Sequence, residues 1–343
     1  MASNSVAADV LTRQDLTSTR ENLTNFIYNI SPVDTMFMKE AGRETSSNII
    51  KEWSVDSLRA TVTDNKKLDG ADFSEDAVTS PTKLANDHQI SRTDVKISGR
   101  ADVVNKPGRR SETAYQEVKE MMALKNDVES ALLNRQAAVT ESGSTAGQTA
   151  GAPMWIRTHT KRPASNGGTD PAAPTGTPPR PSGSVGTTGT LGAFDESSFL
   201  DLKQEIYSAS TSSPNLLLVN PQTKAKLSQY LYGSSTARIA TPEQQVPAMP
   251  KRGGTVIGAV DFWYTDFGMV RITPARNLNS NVALLLDPEY WAVSYLRPFR
   301  KENLPQAGDS KRFVLLADYA LCSKNEAANG VIHDIDADAA ITA

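Results

Sequence analysis

Three histidines, one cysteine, a glycine-rich heptapeptide and a run of alternating aspartates are the groups in this 343-residue chain whose types and spacing could support chemistry. A catalytic histidine needs a nucleophile or carboxylate held beside it. His88, His159 and His333 stand in polar, loop-like sequence with no His-x-x-x-His pair and no nucleophile elbow. Cys322 sits in an apolar run with no activating base nearby, so it reads as a small buried hydrophobe, and a lone thiol forms no intrachain disulfide. Arg252-Gly253-Gly254-Thr255-Val256-Ile257-Gly258 lacks the Lys-Ser/Thr of a phosphate loop and opens a strand pattern, so a turn is expected. Asp334, Asp336 and Asp338 alternate like the start of a calcium loop, but the required glycine and the twelfth-position glutamate are missing. They read as a solvated tail. The expectation is no catalytic group, no cofactor and no metal.

Composition narrows the classes further. With 36 Lys+Arg against 39 Asp+Glu the net charge is -3, which removes the general electrostatic case for a nucleic-acid binder and leaves only local basic surface. The longest apolar stretches, Val282 to Leu286 and Phe313 to Ala317, fall far short of the ~20 residues that cross a bilayer, so no membrane is expected. Asn4, Asp9, Arg13, Asp15, Arg20 and Glu21 interrupt the first thirty residues, leaving no signal-peptide hydrophobic region. Synthesis in the cytoplasm is the expectation. The length corresponds to roughly two compact units, yet the hydrophobic fraction of 38% implies much loop or extended arm.

The elements follow from periodicity. Met1 to Arg20 reads as a polar arm that depends on a partner, and Leu23 to Phe37 as a helical turn broken at Ser31-Pro32. Ile49 to Ala60 alternates as a strand, as does Gln89 to Val104, and the polar stretch Thr61 to His88 between them predicts a long two-stranded excursion. Ser111 to Ala138 is the strongest helix: Ser111 or Thr113 can cap it, Glu112 and Glu117 suit its positive end, and Ala114, Val118, Met121, Val128 and Leu132 form a stripe. Its length would be about 40 Å. His159 to Gly192 holds seven Gly and six Pro in 34 residues, which predicts a mobile surface loop tolerant of shortening. Beyond it lie a helix over Asp195 to Ala209 with Phe199, Leu202 and Ile206 inward, a strand at Leu216 to Val219, and a helix opened by Asn220-Pro221. Strands follow at Thr255 to Thr265, Gly268 to Pro274 and Val282 to Leu286. Trp291 to Leu296 then pairs with Phe313 to Cys322 across a polar tip.

The groups left over suit contacts between molecules. Trp53 is the large aromatic of its strand and reads as an anchor. Asp56, Asp69, Asp72, Glu75 and Asp76 lie on the acidic excursion, while Arg109, Arg110, Arg297, Arg300, Lys301, Lys311 and Arg312 are dispersed basic groups able to meet such an acidic arm on a neighbour. A chain with several projecting elements and few self-sufficient cores is stabilised by neighbours, and head-to-tail contacts between identical copies close into rings or shells.

Ordered phrases carry a family resemblance. They are Asn29-Ile30-Ser31-Pro32-Val33-Asp34-Thr35-Met36-Phe37, Glu52-Trp53-Ser54-Val55-Asp56-Ser57-Leu58, Gln89-Ile90-Ser91 with Ser98-Gly99, Leu124-Lys125-Asn126-Asp127-Val128-Glu129, and Arg297-Pro298-Phe299 followed by Ala307-Gly308-Asp309. On these the chain resembles a tailed-bacteriophage major capsid protein of the Hong Kong 97-type fold, in the short-tailed-phage branch. The resemblance implies an α+β chain with an N-terminal arm at 1–45 and an extended loop at 46–98. It implies a peripheral domain at 99–158 and 281–325 with a spine helix at 111–138, a surface insertion at 159–193 that faces outward, an axial domain at 194–280, and a C-terminal tail at 326–343. It further implies an icosahedral head shell around double-stranded DNA, made of hexamers and pentamers, with a separate scaffolding protein, a portal, a decoration protein and non-specific contact with the packaged DNA. The implied location is the virion, after synthesis in the host bacterial cytoplasm. Lys66, Lys67 and Asn303 do not correspond residue by residue to the lysine–asparagine crosslink of some relatives, so none is expected. Two other readings compete: an encapsulin-like nanocompartment shell, and a secreted carbohydrate-processing enzyme, which the absent signal and absent carboxylate pair disfavour.

Overall fold

The structure, a computed structural model, describes residues 34–70, 72, 78, 80–106, 108–163, 167–210, 212–233, 260–306, 308–339 and 341. The arm at 1–33, Glu75, Asp76 and the Arg252 to Gly258 turn lie outside the described residues.

In chain order, the single turn α1 (Met36–Glu40) buries Phe37 and Met38 and leads into β1 (Gly42–Thr45) and β2 (Ile50–Val55). β3 (Thr82–Asp87), β4 (Gln89–Ser98) and the turn α2 (Gly99–Val103) follow. The spine, α3 (Glu112–Leu133), starts where its cap was expected, with the Ser111 hydroxyl accepting the Ala114 N–H. It stops at Asn134 and is therefore about 33 Å long rather than 40. After α4 (Ala152–Trp155) and β5 (Thr160–Lys161) comes α5 (Glu196–Ala209), whose N-cap Asp195 accepts the Ser198 N–H at 3.0 Å. β6 (Leu216–Val219), α6 (Pro221–Gly233), β7 (Phe262–Thr265), β8 (Gly268–Pro274), β9 (Val282–Leu286), β10 (Trp291–Leu304), β11 (Ser310–Ser323) and β12 (Gly330–His333) complete the chain.

Two larger sheets organise these elements. One has four strands in the order β1-β10-β11-β4, its centre the antiparallel pair of fourteen-residue strands β10 and β11. The other has six, in the order β5-β12-β9-β6-β8-β7. β6 sends Leu216 and Leu218 into a core shared with Val128, Leu132 and Leu133 of α3, and Trp291, Tyr319 and Leu321 of the four-stranded sheet. Its alternate residues Leu217 and Val219 enter a second core with Phe199, Leu202 and Ile206 of α5. β9 divides in the same way. A strand buried on both faces has no polar side to show, which is why Leu216 to Val219 and Val282 to Leu286 are unbroken apolar runs. The Phe199 ring stacks on Trp263 at 4.5 Å between centroids. Lys203, buried on α5, clasps the β7–β8 turn by donating to the Phe267 and Gly268 carbonyls at 3.1 and 2.8 Å, and burial pushes its pKa down to about 8.

Several expectations need correction. The extended excursion is not a pairing of 49–60 with 89–104: β2 pairs with β3, and β4 joins β11 in the four-stranded sheet. Thr82–Asp87 is too poor in β-formers to be read as a strand, but Asn86 fastens it, donating to the Leu321 carbonyl at 2.7 Å and accepting the Ala150 N–H at 2.9 Å. The strand pattern also ends at Ser98, not Val104. On α3 only the C-terminal half of the stripe is buried, with Ala114, Val118 and Met122 exposed. The C-terminal tail expected at 326–343, its aspartates read as solvated, contains β12, every residue of which is buried between β5 and β9. Of its three aspartates Asp334 is buried and Asp338 exposed. The six-stranded sheet thus takes β5, β9 and β12 from outside 194–280. His88, His159 and His333, expected in loop-like surroundings, are all buried.

Leu132 is wholly buried where α3 meets the first core, so Leu132→Ala should lower the unfolding free energy by about 2 to 5 kcal/mol. Chemical denaturation of the dissociated subunit measures it; a loss below ~1 kcal/mol would contradict this packing.

Candidate assembly surface

The β2–β3 hairpin leaves the body at a root built by Trp53. Its ring packs on Trp155 of the same chain, centroids 5.1 Å apart, at the margin of the first core. Trp53 therefore holds the hairpin to its own body. Glu44 of β1 adds an ionic brace, pairing with Lys51 of β2 at 3.1 Å and with Lys324 at 2.8 Å. The hydrogen bond from Lys324 holds its carboxyl below the ordinary carboxylate range. An open cleft of about 870 Å3 lies beside this root, bordered by Asp56, Leu84, Trp155, Tyr290 and Lys324.

Beyond Val55 the chain leaves its own surface. Every described residue from 56 to 83 is exposed, and Leu58, Leu68 and Val78 are 98%, 85% and 96% exposed. Asp56, Asp69 and Asp72 lie on this exposed stretch. At its tip Lys66 pairs with Asp64 at 3.1 Å, while Asn303 stands exposed on β10, in a separate element. Three fully exposed aliphatic side chains on one segment are surface that a single copy leaves in water.

The basic candidates are mostly engaged within the chain. Arg109 pairs with Glu112 and its guanidinium lies 5.3 Å from the Tyr115 ring centroid. Arg297 pairs with Asp318 at 3.2 Å, Arg300 with Glu302 at 2.5 Å, and Lys301 with Glu117 of α3 at 2.5 Å while lying over the Phe313 ring. Lys311 pairs with Asp102 at 2.6 Å. Arg110 and Arg312 are exposed and, among the described residues, make no ion pair. The sequence placed Lys301 and Lys311 in the right hairpin but could not show that α3 and its approach supply their partners.

Two carboxylates escaped the sequence reading. Asp102 caps the spine from outside, one oxygen accepting the N–H groups of Glu112 and Thr113 at 3.0 and 3.2 Å, and the Lys311 hydrogen bond holds its pKa far below the usual range. Glu129 is 1% exposed in the middle of the α3 stripe. Its carboxylate accepts the N–H of Phe37 at 2.6 Å and of Met38 at 2.9 Å, so it fastens α1 to the spine. Burial pushes its pKa up to about 7, against those two hydrogen bonds and with nearby Asp34 adding to the rise. A glutamate in an apolar helical stripe, Leu124-x-x-x-Val128-Glu129-x-x-Leu132, was the signal available.

Burial also shifts other groups with chemical capacity. Burial pushes the Cys322 thiol up to about 12 and the His333 imidazole down to about 4, where Arg135 and Arg162 add to the effect. His159 is lowered by burial as well. Among the described residues no cluster of His, Cys, Asp and Glu could hold a metal ion, and no helix is long and apolar enough to cross a membrane.

Comparison with known proteins places this arrangement. The family described as SU10 major capsid protein matches residues 10–336. The major capsid protein of Escherichia phage Phieco32 is 24% identical over 339 residues, covering 91% of this chain and 93% of the relative. Among solved structures, a chain of the cyanophage A-1(L) capsid asymmetric unit superposes with a TM-score of 0.63 at 14% identity, over 95% of this chain and 99% of that one. The holo-SrpI encapsulin complex from Synechococcus elongatus gives a TM-score of 0.53 at 12% identity, over 95% of each chain.

Two outcomes test the geometry. Trp53→Ala should cost the isolated subunit about 2 to 3 kcal/mol, less than the ~3 to 5 of a fully enclosed ring; unchanged denaturation would mean that Trp155 does not hold the hairpin. For Glu129, the native state keeps its proton to about pH 7 while the unfolded chain releases it near 4.5. The stabilisation is therefore complete below pH 4.5 and lost as the pH rises through 7, a contribution on the order of 3 kcal/mol. Glu129→Gln should remove that part of the decline in denaturant stability between pH 5 and 8. An equal decline in both proteins would refute the assignment.

Proposed function

The chain belongs to the SU10 major capsid protein family, and from that premise we propose how its surfaces build a shell. It is a phage major capsid protein with the α+β Hong Kong 97-type fold, a component of the virion whose copies assemble with one another into the icosahedral head. We infer that the four-stranded sheet with α3 is the peripheral domain, that the six-stranded sheet with α5 and α6 is the axial domain, and that residues 46–87 with the β2–β3 hairpin form the extended loop. The segment up to residue 45 is the arm, tied down at α1 by Glu129.

The observation that carries this reading is the stretch 56–83, exposed in its described residues, with Leu58, Leu68 and Val78 bare. Laid across a neighbouring copy, these side chains gain the burial that their own chain denies them. Asp56, Asp69, Asp72, Glu75 and Asp76 then face basic groups of that neighbour, of which Arg110 and Arg312 are exposed and make no ion pair among the described residues. The engaged cations Arg109, Arg297, Arg300, Lys301 and Lys311 serve the subunit's own packing first. Many modest contacts of this kind sum through effective concentration once a few copies have met. The assembly units are hexamers and pentamers, with a scaffolding protein, a portal and a decoration protein as further partners and double-stranded DNA as the contents, contacted without sequence preference.

The role is structural and carries no catalytic step of its own, a reading supported by the lowered pKa values of buried His159 and His333 and the raised Cys322 thiol. An encapsulin-like nanocompartment is the second reading, favoured only by the likeness to the encapsulin fold.

Electron microscopy of the chain expressed with its scaffolding protein should show closed shells; a monodisperse monomer at high concentration would defeat the proposal. Replacing 58–78 by a short Gly/Ser linker should leave the subunit's unfolding temperature unchanged and abolish shells, because the described residues of this segment are exposed and add nothing to its own cores. Normal shells from that variant would show that the extended segment is not an assembly surface.

A further inference from the structure

We propose that the Gly/Pro-rich segment 159–192 is a strut that fixes the direction of the extended hairpin, with Arg180 as its positioning residue. The inference rests on the capsid reading for its consequence in the shell, and on geometry alone for the strut itself.

One end of the segment is anchored on β12 and the other on the residues that follow it. At one end β5 pairs in parallel with β12, Thr160 opposite Val331 and Lys161 opposite Ile332. At the other, Gly192 donates to the Asp334 carbonyl at 2.9 Å and accepts the Asp336 N–H at 2.7 Å. Arg162 locks this root by pairing with the buried Asp334 and, at 2.6 Å, with Asp170. Between the anchors the chain runs out and back as a narrow antiparallel ribbon, held where Thr169 meets Thr187, where Ala172 donates to Ser184, and where Thr175 meets Arg180. The expected mobile loop is therefore a ribbon docked at both ends, because its polar groups find partners in the body and not only in water.

The tip of the ribbon reaches the root of the hairpin. The Pro179 carbonyl accepts the N–H of Ala85 in β3 at 3.0 Å, and the Pro181 carbonyl accepts that of Ala138 at 2.7 Å. Proline offers an acceptor and no donor, with φ fixed, so Pro179 and Pro181 brace the body without leaving N–H groups to satisfy. Between them Arg180 donates through Nη1 to both oxygens of Asp87, each at 3.0 Å, and to the Thr140 hydroxyl at 2.8 Å. The Asp87 side chain is 3% exposed. Among the described residues its cationic partner is Arg180, so the countercharge of a buried carboxylate is supplied by the insertion. A buried charge deprived of its partner is strongly destabilising.

The position of that charge gives the strut its consequence. Asp87 ends β3, and one residue later β4 begins in another sheet, so His88 is the pivot between hairpin and body. The pivot is itself tied, the His88 Nδ1 lying 2.7 Å from the Ile49 carbonyl. Pinning Asp87 from the β12 side fixes the angle at which the hairpin leaves. In a closed shell that angle sets where the extended loop lands on the next copy, and hence curvature.

The test compares wild type with Arg180→Met and with the double variant Arg180→Met/Asp87→Asn, which removes the charge together with its partner and so guards against failure of the single variant to fold. Hydrogen exchange on the unassembled subunit should show the Ala85 amide exchanging at least tenfold faster in the variants, with amides of β6 and β9 unchanged. Shells grown beside wild type should then vary in diameter or fall at least fivefold in yield. Unchanged Ala85 exchange in the folded variants overturns the strut, and faster exchange with shells of wild-type diameter and yield overturns its role in setting curvature. Wild type that forms no shells under any scaffold would count against the capsid reading, and the exchange result would still decide the strut.

Discussion

β6 and β9 place alternate side chains in two different cores, and the rest of the chain is arranged to satisfy that condition. A strand apolar on both faces must be covered twice. Here α3 and the β10–β11 pair cover one side of the six-stranded sheet while α5 and Leu227 of α6 cover the other. The two larger sheets are therefore not independent units joined by a linker. The central strands contribute to both cores, and the last strand, β12, returns to the six-stranded sheet after the chain has built the hairpin of the four-stranded one.

Outside those cores, the projecting parts are joined to the body by hydrogen bonds and ion pairs of carboxyl groups at buried or half-buried points. Glu129 holds α1, Asp102 and Lys311 join the start of the spine to the long hairpin, Glu44 braces the β2 root, and Asp87 with Arg180 fixes the pivot at His88. Apolar packing tolerates sliding and rotation, whereas a carboxylate with two donors in fixed positions does not. Such joints add little net stability once desolvation is counted. What they supply is direction, and direction is what an arm and a loop need if identical copies are to meet in a repeating way.

The bare segment 56–83 completes this division of labour. A subunit folds on its cores and aims its projections through its carboxyl joints, leaving the exposed aliphatic side chains Leu58, Leu68 and Val78 for neighbours. The exposed ion pairs at its surface are individually weak, about 0 to 1 kcal/mol each. Assembly from weak contacts allows subunits to leave wrong positions before a shell closes.

Much of the architecture was legible because it depends on local periodicity. The limits of β6, β8 and β9, the Ser111 cap, the Pro221 start of α6 and the inward stripe of α5 all follow from side-chain spacing and cap chemistry within a few residues. The ordered phrases likewise pointed to the family that the comparison establishes. What the sequence could not determine were facts of long separation. Thr82–Asp87 is a strand because Asn86 meets Leu321, Glu129 is tolerated in an apolar stripe because Phe37 and Met38 present free N–H groups to it, and the tail is a core strand because β9 lies beside it. The Gly/Pro-rich segment looked mobile because its composition excludes a core of its own, yet a ribbon can borrow its order from the surface it docks on. Local patterning determined the elements and where each begins and ends. Only the tertiary structure decided which polar groups are buried together, because their desolvation is offset by partners from tens to hundreds of residues away that no local window contains.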